Sequence, residues 1–242
     1  MSPMLSVQRV HKSFRGLRAL ADITFTVESG SITALVGPNG AGKTTLFNLI
    51  AGALAPDSGE IRLDGRRIDG LRPDQVCALG IGRTFQIAKP FTGLTVLDNV
   101  VVGALQRSAS VKEARGRAEP MLEALGLLAK RDLPAAMLTL PDRKRLEVAR
   151  ALATRPRLLL LDEAMAGLRP AECERMIDLL RQISRRDGTT ILWIEHVMSA
   201  VMALAQKIIA LNCGEIIAKG SPEEIVRDPA VLESYLGEEA EL

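Results

Sequence analysis

Neither sign of charge is in excess: 31 Lys and Arg stand against 29 Asp and Glu, a formal charge of +2. Such a surface lacks the field that draws proteins onto nucleic acid, so nucleic acid is excluded as the expected partner. Cysteine is scarce as well. Cys77, Cys173 and Cys213 lie far apart with no CxxC pair, and there are two histidines in all. That argues against a disulfide framework or a Cys/His metal centre and fits the reduced thiols of a cytosolic chain. No basic segment followed by an apolar stretch opens the sequence, and apolar runs such as Leu158 to Leu161 fall far short of the roughly 20 residues of a membrane helix. Any membrane link is therefore expected through partners. Apolar residues themselves are plentiful, at 47% of 242, enough to bury the core of one module.

Short strand-like runs recur at Leu5 to Val10, Ile23 to Val27 and Ile32 to Val36, and Glu60 to Asp64 alternates polar and apolar residues. Thr44 to Ala51 reads as a helix closed by Gly52, followed by a turn at residues 56–59. From Pro90 to about Ala136 the pattern becomes helical, with Met121, Leu122, Leu125 and Leu128 spaced three and four apart. This predicts a helical lobe over residues 90–136, inserted into a lobe of residues 1–89 and 137–242. The apolar runs Leu158 to Leu161 and Thr190 to Ile194 flank a helix carrying Met176, Ile177, Leu180 and Ile183, which predicts buried parallel strands. A hairpin is expected at Ile208 to Leu211 and Glu215 to Lys219, then helices opening near Pro222 and Pro229. The fold class is α/β, with a mostly parallel core sheet, an antiparallel β lobe and the helical insertion.

The strongest chemical signal is Gly37, Pro38, Asn39, Gly40, Ala41, Gly42, Lys43 and Thr44, with Thr45 next in the helix. It has the form GxxxxGKS/T between an apolar strand and a helix. Glycines let backbone N–H groups close around phosphate oxygens, the helix start adds positive charge, and Lys43 reaches the β and γ phosphates. The Thr44 hydroxyl is a ligand for Mg²⁺. Asp162 and Glu163 follow an apolar strand, at the sheet edge where open α/β folds place ligands. Asp162 suits Mg²⁺, and Glu163 suits a general base for the water attacking the γ-phosphate. Alone, two acids there are more often a helix-start charge bias. Paired with the phosphate loop, they read as chemistry. His196 follows another apolar strand and offers an imidazole to the γ-phosphate, and Gln86 offers an amide near Mg²⁺ and the water.

Loop, Gln86, Asp162 with Glu163, and His196 come in the order and approximate spacing of the ATP-binding cassette (ABC) family, which this chain resembles over essentially its whole length. The resemblance implies an ATPase lobe with a helical lobe, ATP with Mg²⁺, and Phe14 against the adenine, where the competing reading is a core Phe. It also implies a dimer with ATP between the phosphate loop of one subunit and the signature of the other. Arg83 to Gln86, Ile194 to His196 and Ser234 to Gly237 look like ATP-binding subunits of branched-chain amino acid importers, and similar subunits serve lipopolysaccharide export. Transmembrane permease subunits, an extracytoplasmic solute-binding protein reached through them, and a peripheral position on the cytoplasmic membrane face follow from the importer reading.

A soluble ABC ATPase of translation or repair would carry paired cassettes, a coiled coil or metal-binding cysteines. A P-loop kinase or GTPase leaves Glu163, His196 and the insertion unexplained.

The signature departs from the family's Leu-Ser-Gly-Gly-Gln. Here Leu138, Thr139, Leu140, Pro141 and Asp142 stand in its place, and Ala164 stands where a proline usually follows the glutamate. Thr139 keeps a hydroxyl for the partner's nucleotide. Leu140 is bulky, Pro141 has no N–H, and Asp142 is expected to set an anion near a phosphate. A weakened signature predicts pairing with a second, different ATP-binding subunit.

Overall fold

A computed structural model describes residues 3–85 and 89–239. Strands β1 (Leu5–Phe14) and β2 (Leu17–Val27) form a hairpin, and β1 pairs on its other side with β4 (Ser58–Leu63), which pairs with the short β5 (Arg66–Arg67). Both hairpin strands outrun the apolar runs that mark them, because polar residues such as Lys12, Ser13 and Arg18 extend the ladder. Between β2 and β4 come β3 (Ile32–Val36) and α1 (Lys43–Ile50).

After β5 follow α2 (Pro73–Leu79) and β6 (Ile81–Arg83), then α3 (Val96–Leu105), α4 (Val111–Ala124) and α5 (Leu140–Ala153). The chain continues through β7 (Leu158–Asp162), α6 (Pro170–Asp187), β8 (Thr190–Ile194), α7 (Met198–Leu204), β9 (Lys207–Asn212), β10 (Glu215–Gly220), α8 (Pro222–Ile225) and α9 (Pro229–Glu239). The second sheet has the order β10-β9-β3-β8-β7-β6, parallel except where β10 meets β9.

Both faces of this sheet are covered, which explains its unbroken apolar strands. Alternate residues take opposite sides. Leu158, Leu160, Leu192 and Ile194 pack with α1 against the antiparallel sheet. Leu159, Leu161, Ile191 and Trp193 join the core shared by α3, α4, α5 and α6. Thus α5 packs on α3 and α4 and also reaches β6 and β7. The spacing of residues 121–128 spans a helix end: α4 stops at Ala124, and Gly126 takes a φ of +66° before a 3₁₀ turn at Leu128–Lys130. Among the described residues no helix is long and apolar enough to cross a membrane.

Candidate nucleotide site

Register places the chemistry. Neighbouring β3, β8 and β7 run parallel, with Leu35 opposite Ile194 and Ile194 opposite Asp162. Their carboxyl ends therefore deliver Gly37, His196 and Asp162–Glu163 to one edge.

The phosphate loop needs its glycines for room as well as for torsion. Gly37, Gly40 and Gly42 have φ of +145°, +77° and +103°. A Cβ on Gly37 would sit 2.1 Å from the Leu211 carbonyl oxygen, and one on Gly42 2.6 Å from the Leu20 side chain. The β9–β10 turn braces the loop: Gly214 N–H donates to the Ala41 carbonyl, and the Gly214 carbonyl accepts from Ala21 N–H. Pro38 and Ala41 are buried, while Asn39, Gly40 and Thr44 are exposed. Lys43 Nζ donates to the carbonyls of Gly37 at 2.5 Å and Pro38 at 2.7 Å. Its charge is thus held within the loop. Helix α1 makes its first bond from Leu46 N–H to Gly42, so the amides of Thr44 and Thr45 have no partner inside the helix and point out of its positive end.

Asp162 is buried at 2% exposure. Its N–H donates to Thr84 Oγ1, Oδ2 lies 3.4 Å from Arg83, and Oδ1 is buried with no hydrogen-bond partner among the described residues. Burial raises its pKa, opposed by Arg83. Arg83 also donates to Asn48 at 2.7 Å. Glu163 adopts a φ of +49°, a region non-glycine residues seldom occupy. Its N–H donates to the Ile194 carbonyl, and its own carbonyl accepts from Ala166 N–H and from Lys144 Nζ. His196 Nδ1 lies 4.0 Å from Glu163 Oε1, on an imidazole more than half exposed. Behind it Glu195, fully buried, accepts from the amides of Met165, His196 and Val197.

Gln86 lies outside the described residues. Its flanks are held: Phe85 N–H donates to Glu147 Oε1 at 3.0 Å, and Arg150 donates to the Lys89 carbonyl at 2.8 Å. Phe14, at the end of β1, is 41% exposed with Lys12 Nζ 5.5 Å from its ring centre. It is therefore a surface aromatic, unlike a core Phe.

At the signature, Thr139 is the N-cap of α5 and Pro141 lies in the first turn, where a missing N–H breaks no helix bond. Asp142 departs from expectation. It is 3% exposed, accepts from the Thr139 hydroxyl at 2.9 Å, and is paired with Lys130 and Arg145. Its pKa is lowered, burial being outweighed by Lys130 and Thr139. The anion is turned inward and neutralised, so it does not confront a phosphate. Leu140 and Met137 are exposed beside Thr139.

Nothing in the sequence points to Lys144 and Glu147, because charges within an amphipathic helix are ordinarily solvated; both are buried. Burial pushes the Glu147 carboxyl from 4.5 to about 7, partly offset by Phe85 N–H, Lys144 and Arg150. Between those values the folded chain keeps a proton that the unfolded chain has released, so this group's contribution to stability falls as pH rises from about 4.5 to about 7. Unfolding of wild type and Glu147→Gln across that range checks it. The wild type is expected to lose stability relative to the variant as pH rises; a difference independent of pH would refute the assignment.

The strand edge brings the phosphate loop and the acidic pair together as a candidate nucleotide site, and sequence comparison gives the family. The ABC transporter profile matches residues 20–166 and the profile described as "Branched-chain amino acid ATP-binding cassette transporter" matches 215–241. The chain belongs to the ABC transporter family, as an ATP-binding cassette whose ATPase activity is coupled to transport. It is 38% identical over 251 residues to the high-affinity branched-chain amino acid transport ATP-binding protein LivG of Salmonella typhimurium, covering 98% of each chain. It is 37% identical to BraF of Pseudomonas aeruginosa, again with 98% coverage of both. The lipopolysaccharide export system ATP-binding protein LptB of Acidithiobacillus ferridurans is 35% identical over 100% of both chains. Among solved structures, the ADP conformation of MJ1267, an ATP-binding cassette of an ABC transporter, has a TM-score of 0.89 at 30% identity and covers 98% of this chain and 100% of its own. A nucleotide-free cassette has a TM-score of 0.89 at 29% identity, with 97% and 99% covered.

Proposed function

We propose that this chain energises uptake of branched-chain or related amino acids, working on the cytoplasmic face of a membrane with transmembrane permease subunits and an extracytoplasmic solute-binding protein. The observation that carries this reading is the branched-chain transporter match over residues 215–241. That segment runs from β10 to α9 and packs through Val231 and Tyr235 onto Ile208 and Ala210 of β9. A groove of about 430 Å³ beside the Gln86 segment supports permease docking; Val76, Ile81, Phe85 and Val102 line it. We take residues 1–89 and 137–242 as the ATPase lobe and 90–136 as the helical lobe, with α5 as the seam.

In this reading the loop from Gly37 to Thr45 wraps the triphosphate and Lys43 pairs its β and γ oxygens. Thr44, Asp162 and Gln86 would hold Mg²⁺, and the buried Oδ1 of Asp162, with no hydrogen-bond partner among the described residues, suits a hard cation. When bound, Mg²⁺ neutralises the phosphate charge. Glu163 takes the proton of the attacking water, and His196 hydrogen-bonds the γ-phosphate and that water. Phe14 stacks on adenine. Phe14→Ala is expected to weaken ATP binding by about 1 kcal/mol, roughly fivefold, read by nucleotide titration; unchanged affinity would return Phe14 to a purely structural role.

Thr139 faces the partner's nucleotide. Its hydroxyl is committed to Asp142, Leu140 is bulky and Pro141 donates nothing, so this signature serves the partner's site weakly even with Asp142 neutralised. A second, different ATP-binding subunit with an intact signature is therefore the proposed mate.

Proteoliposomes holding the chain with its permeases, second ATPase and receptor test the substrate class. ATP-driven accumulation of leucine, isoleucine or valine is expected. Partners that extract lipopolysaccharide instead would favour the export reading, which the full-length LptB match supports.

A further inference from the structure

Three charged residues of α5 fall at i, i+3 and i+6, on one helix face. Each grips main chain at the nucleotide edge. Lys144, 5% exposed, donates to the Glu163 carbonyl at 2.9 Å. Glu147, 6% exposed, accepts from Phe85 N–H. Arg150 donates to the Lys89 carbonyl and lies 4.5 Å from the centre of the Phe91 ring. Phe91 is anchored in turn by buried Asn99, which accepts from its N–H and donates to its carbonyl.

Buried charges need such partners, since desolvation without them is expensive. Lys144 and Arg150 stand on either side of the Glu147 carboxyl along the ridge, so their charges offset its own when it is ionised. What is held also matters. Glu163 has a φ of +49°, a conformation that persists only where its surroundings over-determine it. Residues 85 and 89 flank the segment carrying Gln86. The same helix begins at Thr139.

We propose that Lys144, Glu147 and Arg150 form a positioning strut, by which α5 holds Glu163 and both flanks of Gln86 in register with its own signature terminus. The bonds they make are to main chain, so they act through the groups that handle the attacking water. Seating of Thr139 on a partner's nucleotide would then reach this chain's own hydrolytic groups along one rigid helix. The inference rests on the ATPase roles given above to Glu163 and Gln86.

The test compares bond-removing with bond-keeping variants in the assembled transporter, with kcat and KM for ATP measured separately. Lys144→Met and Glu147→Leu remove the tethers. Lys144→Gln keeps an N–H donor and Glu147→Gln an acceptor, both without charge. Turnover, normalised to bound nucleotide, is expected to fall at least tenfold in the Met and Leu variants with KM within about twofold of wild type. Each Gln variant should run at least fivefold faster than its bond-removing counterpart. Wild-type kcat in folded Lys144→Met and Glu147→Leu would overturn the strut, as would Gln variants no faster than their counterparts. Wild-type turnover in the same preparation measures the underlying ATPase reading, and the ratio between variants measures the strut. Should the bond-removing variants not fold, amide exchange in the wild-type chain decides. MgATP is expected to slow exchange at Phe85 and through α5 together, and slowing at Phe85 with α5 unchanged would overturn the proposal.

Discussion

Glu163→Gln is expected to bind MgATP as wild type does and to lose hydrolysis by roughly 10²–10⁴-fold, the range for removing a general base. The substitution keeps shape and the backbone bonds. The Glu163 N–H still reaches the Ile194 carbonyl, and its carbonyl still accepts from Lys144 and Ala166. An amide is as compatible with the φ of +49° as an acid is, so the fold should persist. What disappears is basicity at an oxygen 4.0 Å from His196. A single-turnover assay separates chemistry from binding, and an unchanged chemical step would remove Glu163 from the role of base.

Lys43→Ala should act earlier in the cycle. The ammonium is bonded to the Gly37 and Pro38 carbonyls, where its charge meets a triphosphate at the helix start. Charge-assisted bonds of this kind contribute about 1.5–3 kcal/mol each, so ATP affinity should fall roughly a hundredfold or more. Equilibrium titration with a fluorescent ATP analogue reads this directly. Wild-type affinity in the variant would contradict the phosphate-loop assignment.

The sequence was most legible where chemistry depends on neighbours along the chain. The phosphate loop is contiguous, and its glycines are dictated by close approach to Leu211 and Leu20. Asp162 and Glu163 stand out because they close an apolar strand in a chain that also carries the phosphate loop; without that loop they would read as a helix-start charge bias. The neutralisation of Asp142 is invisible in sequence because its partner Lys130 is twelve residues upstream, and only the packed helical lobe brings them together. Lys144 and Glu147 were hidden for a similar reason. In sequence they belong to a charged helix, and their burial exists only once α5 is wedged between α3, α4 and the sheet.

The most direct test of the account is the ATPase rate of this chain alone and then assembled with its permeases and a second ATP-binding subunit, each repeated with Glu163→Gln and with the second subunit's equivalent change. The account predicts feeble hydrolysis alone, strong hydrolysis in the assembly, and a larger loss from Glu163→Gln than from the change in the partner. Brisk hydrolysis by the isolated chain, or equal losses from the two changes, would contradict it.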